Sequence, residues 1–160
     1  MRLDSFRFLV GPLVLVLAVA GSAAAQETSL VGTWALDLKA STNVPESQKG
    51  VDLTIALSGR EMTITRAIGE KVVGEPLVLT LDGVGRAQNL SGQRANVTAK
   101  WLAPEKKFEL VVSMPQAGST FLMVQTVVTE ISPTGGTMSR NYLTRKGPER
   151  EDRLLVYRRR

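Results

Sequence analysis

Residues 51–68, VDLTIALSGREMTITRAI, decide the fold class. Val51, Leu53, Ile55 and Leu57 share one phase, with Asp52 and Thr54 on the other. After the break at SGRE the pattern resumes, with Met62, Ile64 and Ile68 in phase opposite Glu61, Thr63 and Thr65. A period of two is the signature of a half-buried strand, because successive side chains point to opposite faces. A Gly-containing break of a few residues is too short for a crossover helix, so the two strands return antiparallel.

The same reading extends in both directions. LVGTWALDL sets Trp34, Leu36 and Leu38 on one face, PLVLTLDG aligns Leu77, Leu79 and Leu81, and RANVTAKW aligns Ala95, Val97, Ala99 and Trp101. KFELVVSM gives Phe108, Leu110, Val112 and Met114. The breaks LDGVG, LSGQR, APEKK, MPQAGS, SPTGG and RKGPER carry the Gly, Pro, Asn and Asp chemistry of tight turns. GVGRAQ is read as hairpin glycine, since no helix or Lys-Ser pair follows to make a phosphate loop. Phe121 to Val128 is apolar on both phases apart from Gln125 and Thr126, which suits a strand buried on both faces, a strand running under another segment, or a surface that a partner covers. The whole is an all-β, antiparallel up-and-down meander of about 8–10 strands, and closure into a barrel removes the exposed edges of so long a sheet.

The chain opens differently. Arg2 and Arg7 precede an apolar run from Phe8 to Ala20, and SAAAQE offers small residues for cleavage after Ala25. This is the layout of a secretory signal peptide, residues 1–25, ahead of one domain at 26–160. As a membrane anchor the run is short of the ~20 residues a spanning helix needs. Export, to the periplasm or beyond the cell, is the expected localisation.

Cysteine and histidine are both absent. That removes thiol nucleophiles, imidazole-based triads, haem ligation and most soft-metal sites. Carboxylates are scattered on polar phases, with no pair placed for acid–base work. The expectation is therefore a protein that is not an enzyme, with no metal and no cofactor.

Gly32 and Trp34 on the first strand, a cysteine-free meander of this length, and a last strand bearing LVYRR resemble the lipocalin, or calycin, superfamily. The chain is also similar to secreted bacterial lipocalin-like proteins of unassigned function that open with GTW-x-L and close with an LVY strand. The resemblance implies a small barrel whose closed end is plugged by Trp34, with the indole N–H finding a polar partner. It implies a binding protein for a small apolar or amphiphilic molecule. Two departures stand out: KASTNVPESQKG, residues 39–50, is short and contains Pro45 where fatty-acid-binding proteins carry a helical pair, and no C-terminal helix follows the last strand. A mouth formed by loops alone is expected.

Three inward-phase residues are unusual. Arg66 lies in line with Met62 and Ile64, and Arg140 and Tyr142 lie in line with Met138. A guanidinium inside an apolar lumen costs several kcal/mol unless something anionic meets it. The R-x-Y spacing of Arg140 and Tyr142 is similar to the carboxylate clamp of fatty-acid-binding proteins, which implies an acidic head group gripped by Arg140 and Tyr142, with Arg66 beside them. Trp34, Arg66, Arg140 and Tyr142 are the candidate ligand-binding residues. Two alternatives stay open: the strand around Arg140 has the opposite phase, with Ser139, Asn141 and Leu143 inside, or Arg66 snorkels to the rim.

From Arg140 onward eight Lys or Arg face three acids, which accounts for the whole net charge of +5. Such a tail suits solubility and edge protection, or at most peripheral contact with anionic lipid. No aromatic residues interleave with the basic ones, so nucleic acid is not an expected partner. The competing reading is a cell-envelope interaction protein with a packed barrel and no small-molecule ligand. The sequence does not set the oligomeric state.

Overall fold

The computed structural model describes residues 29–116 and 118–160. The signal-like segment at 1–25 lies outside the described residues. Eleven strands follow one another: β1 (Gly32–Leu36), β2 (Val51–Ser58), β3 (Glu61–Ile68), β4 (Lys71–Val72), β5 (Leu77–Thr80), β6 (Arg86–Leu90), β7 (Gln93–Ala103), β8 (Lys107–Pro115), β9 (Leu122–Ile131), β10 (Thr137–Lys146) and β11 (Glu149–Arg159). All pair antiparallel in one sheet, in the order β4-β3-β2-β1-β11-β10-β9-β8-β7-β6, with β5 on the free side of β3. The only helical element among the described residues is a 3₁₀ turn at Glu46–Gln48, within the short segment that joins β1 to β2. No helical lid forms there, as Pro45 and the segment's length foretell.

The sheet closes on itself. Leu81 N–H donates to the Arg60 carbonyl at 3.0 Å, holding the end of β5 to the β2–β3 turn, while Gly83 N–H donates to the Ala99 carbonyl of β7 at 2.8 Å. A bridge between Asp82 and Lys100 and a 3.1 Å bond from Gln88 Nε2 to the Val78 carbonyl complete the seam. The other walls are strand ladders, with one irregularity between Trp101 and Ala103 where β7 pairs β8. The seam is the thinnest part of the barrel.

Closure buries the apolar phase as one cluster. Trp34, Val51, Leu53, Ile55, Met62, Ile64, Leu79, Ala95, Val97, Phe108, Leu110, Val127, Met138, Leu155 and Tyr157 all lie within it. Burying each large side chain contributes about 1.5–3 kcal/mol, which is how a chain without a disulfide holds together. Trp101 packs its edge on Phe108 at a centroid distance of 6.1 Å.

Four details correct the sequence reading. Leu38 is in phase with Trp34 yet about half exposed. The Asp37 carboxylate accepts from the Lys39 and Ala40 N–H groups, and this local turn ends β1 before Leu38. Ile68 is likewise in phase but exposed, since it sits beside the Gly69 turn beyond the core. β9 is not buried on both faces: Phe121 and Leu122 are exposed, and the outward Val124, Thr126 and Val128 are only half-covered. The GVGRAQ stretch is not turn alone, because β6 begins at Arg86; its strand escapes notice because Arg86, Ala87, Gln88 and Asn89 supply no hydrophobic alternation. With the two-residue β4, β6 brings the count slightly above the range expected.

Candidate functional site

The polar chemistry of the interior gathers on three neighbouring strands. On β10 the inward phase is Met138, Arg140, Tyr142 and Thr144; Met138, Arg140 and Thr144 are buried and Tyr142 half-buried, whereas Asn141 is exposed. This settles the phase of the least regular strand in favour of Arg140 and Tyr142. Register then places their partners: Arg140 lies opposite Thr129 of β9 and Leu155 of β11, and Tyr142 lies opposite Arg153.

Arg140 is only 8% exposed, and its Nε donates to Thr129 Oγ1 at 3.3 Å. Its guanidinium lies 5.3 Å from the centre of the Tyr142 ring, and that of Arg153 lies 5.0 Å from the same ring. Two cations therefore share one aromatic face system, which offers each a modest attraction and no neutralisation. A carboxylate that ought to meet them is largely missing. Among the described residues neither Arg140 nor Arg66 has an acidic group within ion-pair distance, and Arg153 reaches only Glu151, at 3.9 Å and well exposed to water.

Tyr157 of β11 completes the cluster. Its ring is fully buried, and its hydroxyl lies beside the Arg140 guanidinium without a hydrogen bond of good geometry. Burial pushes the phenol up to about 12, against the opposing pull of the nearby Arg140 and Arg66 charges. Arg66 Nε and Arg153 Nε are also buried without partners. Unsatisfied buried donors are uncommon in folded proteins and call for an explanation. Here three of them belong to one charged group of residues.

The same two strands, β10 and β11, carry a cavity at their turn end. It has a volume of about 280 Å³ and is lined by Thr144, Lys146, Glu149, Arg150 and Glu151. Thr144, Lys146, Glu149 and Glu151 continue the inward phase that carries Tyr142 and Arg153. Gln125 Nε2 donates to Thr144 Oγ1 at 3.1 Å. A groove of about 380 Å³, overhung by Thr42 and Asn43, is lined by Thr126, Val128, Asn141, Leu143, Asp152 and Leu154 of the outward phase of β9, β10 and β11, and also by Tyr142 and Arg153. Asn43 Nδ2 holds that overhang to the Asp152 carbonyl at 2.9 Å.

Of the residues singled out from sequence, Arg140 and Tyr142 form this cluster and Arg66 of β3 lies near it, half-buried with its Nε covered. Trp34 does not. It is fully buried at the opposite end, its Nε1–H donates to the Leu30 carbonyl at 2.9 Å, and Arg159 covers its face. Arg153, Tyr157 and Thr129 were not singled out. The signal for the first two was present, since Arg153, Leu155 and Tyr157 alternate in REDRLLVY, but the density of charge there reads as a solvated tail.

No protein-family model matches the chain, and no curated protein matches it in sequence. The fold does match solved structures. A secretory abundant heat soluble protein from Ramazzottius varieornatus superposes with a TM-score of 0.61 at 11% identity, covering 85% of this chain and 98% of that one. A Schistosoma mansoni fatty acid binding protein in complex with arachidonic acid gives 0.57 at 17% identity over the same shares. Apo lipid binding protein 8 of Caenorhabditis elegans gives 0.57 at 14% identity, over 81% of this chain and 94% of that one. The protein has the lipocalin-like calycin fold.

Proposed function

We propose that the protein is an exported binding protein, not an enzyme, which holds a small amphiphile by an acidic head group inside its barrel. The single observation that carries this reading is the guanidinium of Arg140, buried on an apolar wall beside the hydroxyls of Thr129 and Tyr157 with no acidic group within ion-pair distance. Leaving such a charge uncompensated costs several kcal/mol, and an anionic ligand offsets that cost by ion pairing and charge-assisted hydrogen bonds. Tyr157 adds a neutral donor, because its raised pKa keeps the phenol protonated. The apolar phase around it suits an alkyl tail.

Two further lines support the reading. The barrel is of the kind that binds fatty acid in the Schistosoma protein, a likeness of fold alone at that identity. The signal-like residues 1–25 support export. Extraction of the protein purified from its host, followed by mass spectrometry, tests the proposal. An acidic amphiphile in stoichiometric amount is the expected result. An empty extract, together with no thermal shift on adding anionic amphiphiles, overturns it and favours the packed envelope protein.

A further inference from the structure

We infer that the head group this barrel receives carries two negative charges, as a phosphate monoester does, at the end of an apolar chain. The inference rests on the binding reading above and narrows it to a class of ligand.

The argument is one of charge and donor count. Arg66, Arg140 and Arg153 bring three guanidinium groups to the interior, from β3, β10 and β11. Glu151 offers Arg153 a distant and solvent-exposed partner; Arg66 and Arg140 have no acid among the described residues. Two positive charges therefore stay uncompensated even when Glu151 is counted in full. A carboxylate supplies one negative charge, so one guanidinium of this group, in which Arg140 is buried and Arg66 and Arg153 are half-buried, would still lack a counter-charge with the ligand in place. Uncompensated buried charge is the costly state, so the complement of this interior is a dianion.

The donors point the same way. Arg66 Nε on β3, and Arg153 Nε and the Tyr157 hydroxyl on β11, are buried without a hydrogen bond of good geometry. A carboxylate has two oxygens to share among them. A phosphate monoester has three terminal oxygens and close to two charges at neutral pH. The phenol of Tyr157 cannot serve as the missing counter-charge, since it stays protonated well above neutrality.

The test uses the intact mature protein and four probes: dodecyl phosphate, dodecanoate, dodecanol and inorganic phosphate, each titrated calorimetrically near neutral pH. Dodecyl phosphate is expected to bind about tenfold or more tighter than dodecanoate, a difference of about 1.4 kcal/mol, with dodecanol and inorganic phosphate weaker still. Arg66→Gln is expected to bring the phosphate-to-carboxylate ratio close to one, with an unchanged far-ultraviolet circular dichroism spectrum showing that the variant folds. Equal or tighter binding of dodecanoate by the unaltered protein overturns the dianion and leaves the acidic-amphiphile reading intact. Inorganic phosphate binding as tightly as dodecyl phosphate overturns the apolar tail. Failure of all four probes overturns the binding reading itself, and this inference with it.

Discussion

The guanidinium of Arg159 lies over the indole of Trp34, its central carbon 4.4 Å from the ring. The same group donates from Nη1 to the Val31 carbonyl at 2.9 Å, from Nε to the Gly135 carbonyl at 3.1 Å, and from Nη2 to the Ser29 carbonyl. One side chain thus ties the start of β1, the end of β11 and the β9–β10 turn into a single plug. Arg159→Ala should cost about 2–4 kcal/mol through lost charged hydrogen bonds and cation–π contact. Trp34→Ala should cost about 3–5 kcal/mol. Urea unfolding followed by far-ultraviolet circular dichroism measures both, and a loss under about 1 kcal/mol for Arg159→Ala would remove the plug from the account.

Gly32 makes that plug fit. Its φ of +134° disfavours any side chain, and a Cβ there would stand 2.8 Å from Arg159 Nη1. Gly59 also has positive φ but nothing within 4 Å of its would-be Cβ. Gly32→Ala is therefore expected to lower the melting temperature clearly more than Gly59→Ala. Equal shifts would mean the backbone alone, not the packing on Arg159, sets the need for glycine.

Tyr157 gives the stability an alkaline limit. A phenol whose pKa is higher in the fold contributes fully below the unfolded value near 10, and that contribution is lost as pH rises through about 12. Two units correspond to roughly 3 kcal/mol. Since the chain has two tyrosines, Tyr142→Phe isolates Tyr157 for absorbance titration. Ionisation of Tyr157 should coincide with unfolding, and Tyr157→Phe should flatten the alkaline loss. Titration near 10 in a folded protein would refute the burial argument.

Arg140→Met should act in opposite directions on the two states. Without ligand it removes an unneutralised buried charge, so the melting temperature should rise, by about 1–3 kcal/mol in stability. With an anionic amphiphile present the ligand-induced shift should vanish. A variant both less stable alone and undiminished in binding would argue that Arg140 is a packing residue.

At the seam, Arg86 grips both oxygens of Asp82 at 2.7 and 2.6 Å and holds its carboxyl well below the usual carboxylate range. A depressed pKa contributes stability above the unfolded value near 4, and the contribution fades as pH falls towards the lower folded value. Asp82→Asn should therefore shrink the acid dependence of stability and speed amide exchange at Gly83 and Leu81. The pair is exposed, so high salt should weaken the effect. Unchanged exchange at Gly83 would show that the backbone bonds close the seam unaided.

The architecture was legible in the sequence because closure of a barrel demands strict alternation, and β2, β3, β7 and β8 obey it. What escaped was carried by residues that obey other forces. Asp37 ends β1 by bonding its own backbone, so phase alone places Leu38 wrongly. β6 has almost no apolar residue to announce it. The outward Val124 and Val128 are apolar without being buried, and a single chain gives no sign of which phase water will meet. The site was half legible: Arg140 and Tyr142 stand out as polar intruders in an apolar phase, whereas Arg153 and Tyr157 hide among the surface charges of the same strand. Only register, which brings Arg153 opposite Tyr142, joins them.

The pairing of β1 with β11 sets a condition on how the molecule comes into being. Arg159 and Val31 are 128 positions apart. While the polypeptide is being made, neither margin can be stitched until the closing strand emerges, and Trp34 waits without its roof. Assembly of this barrel is thus deferred to the last moment, which makes any truncation before β11 a source of sticky, unpaired margins.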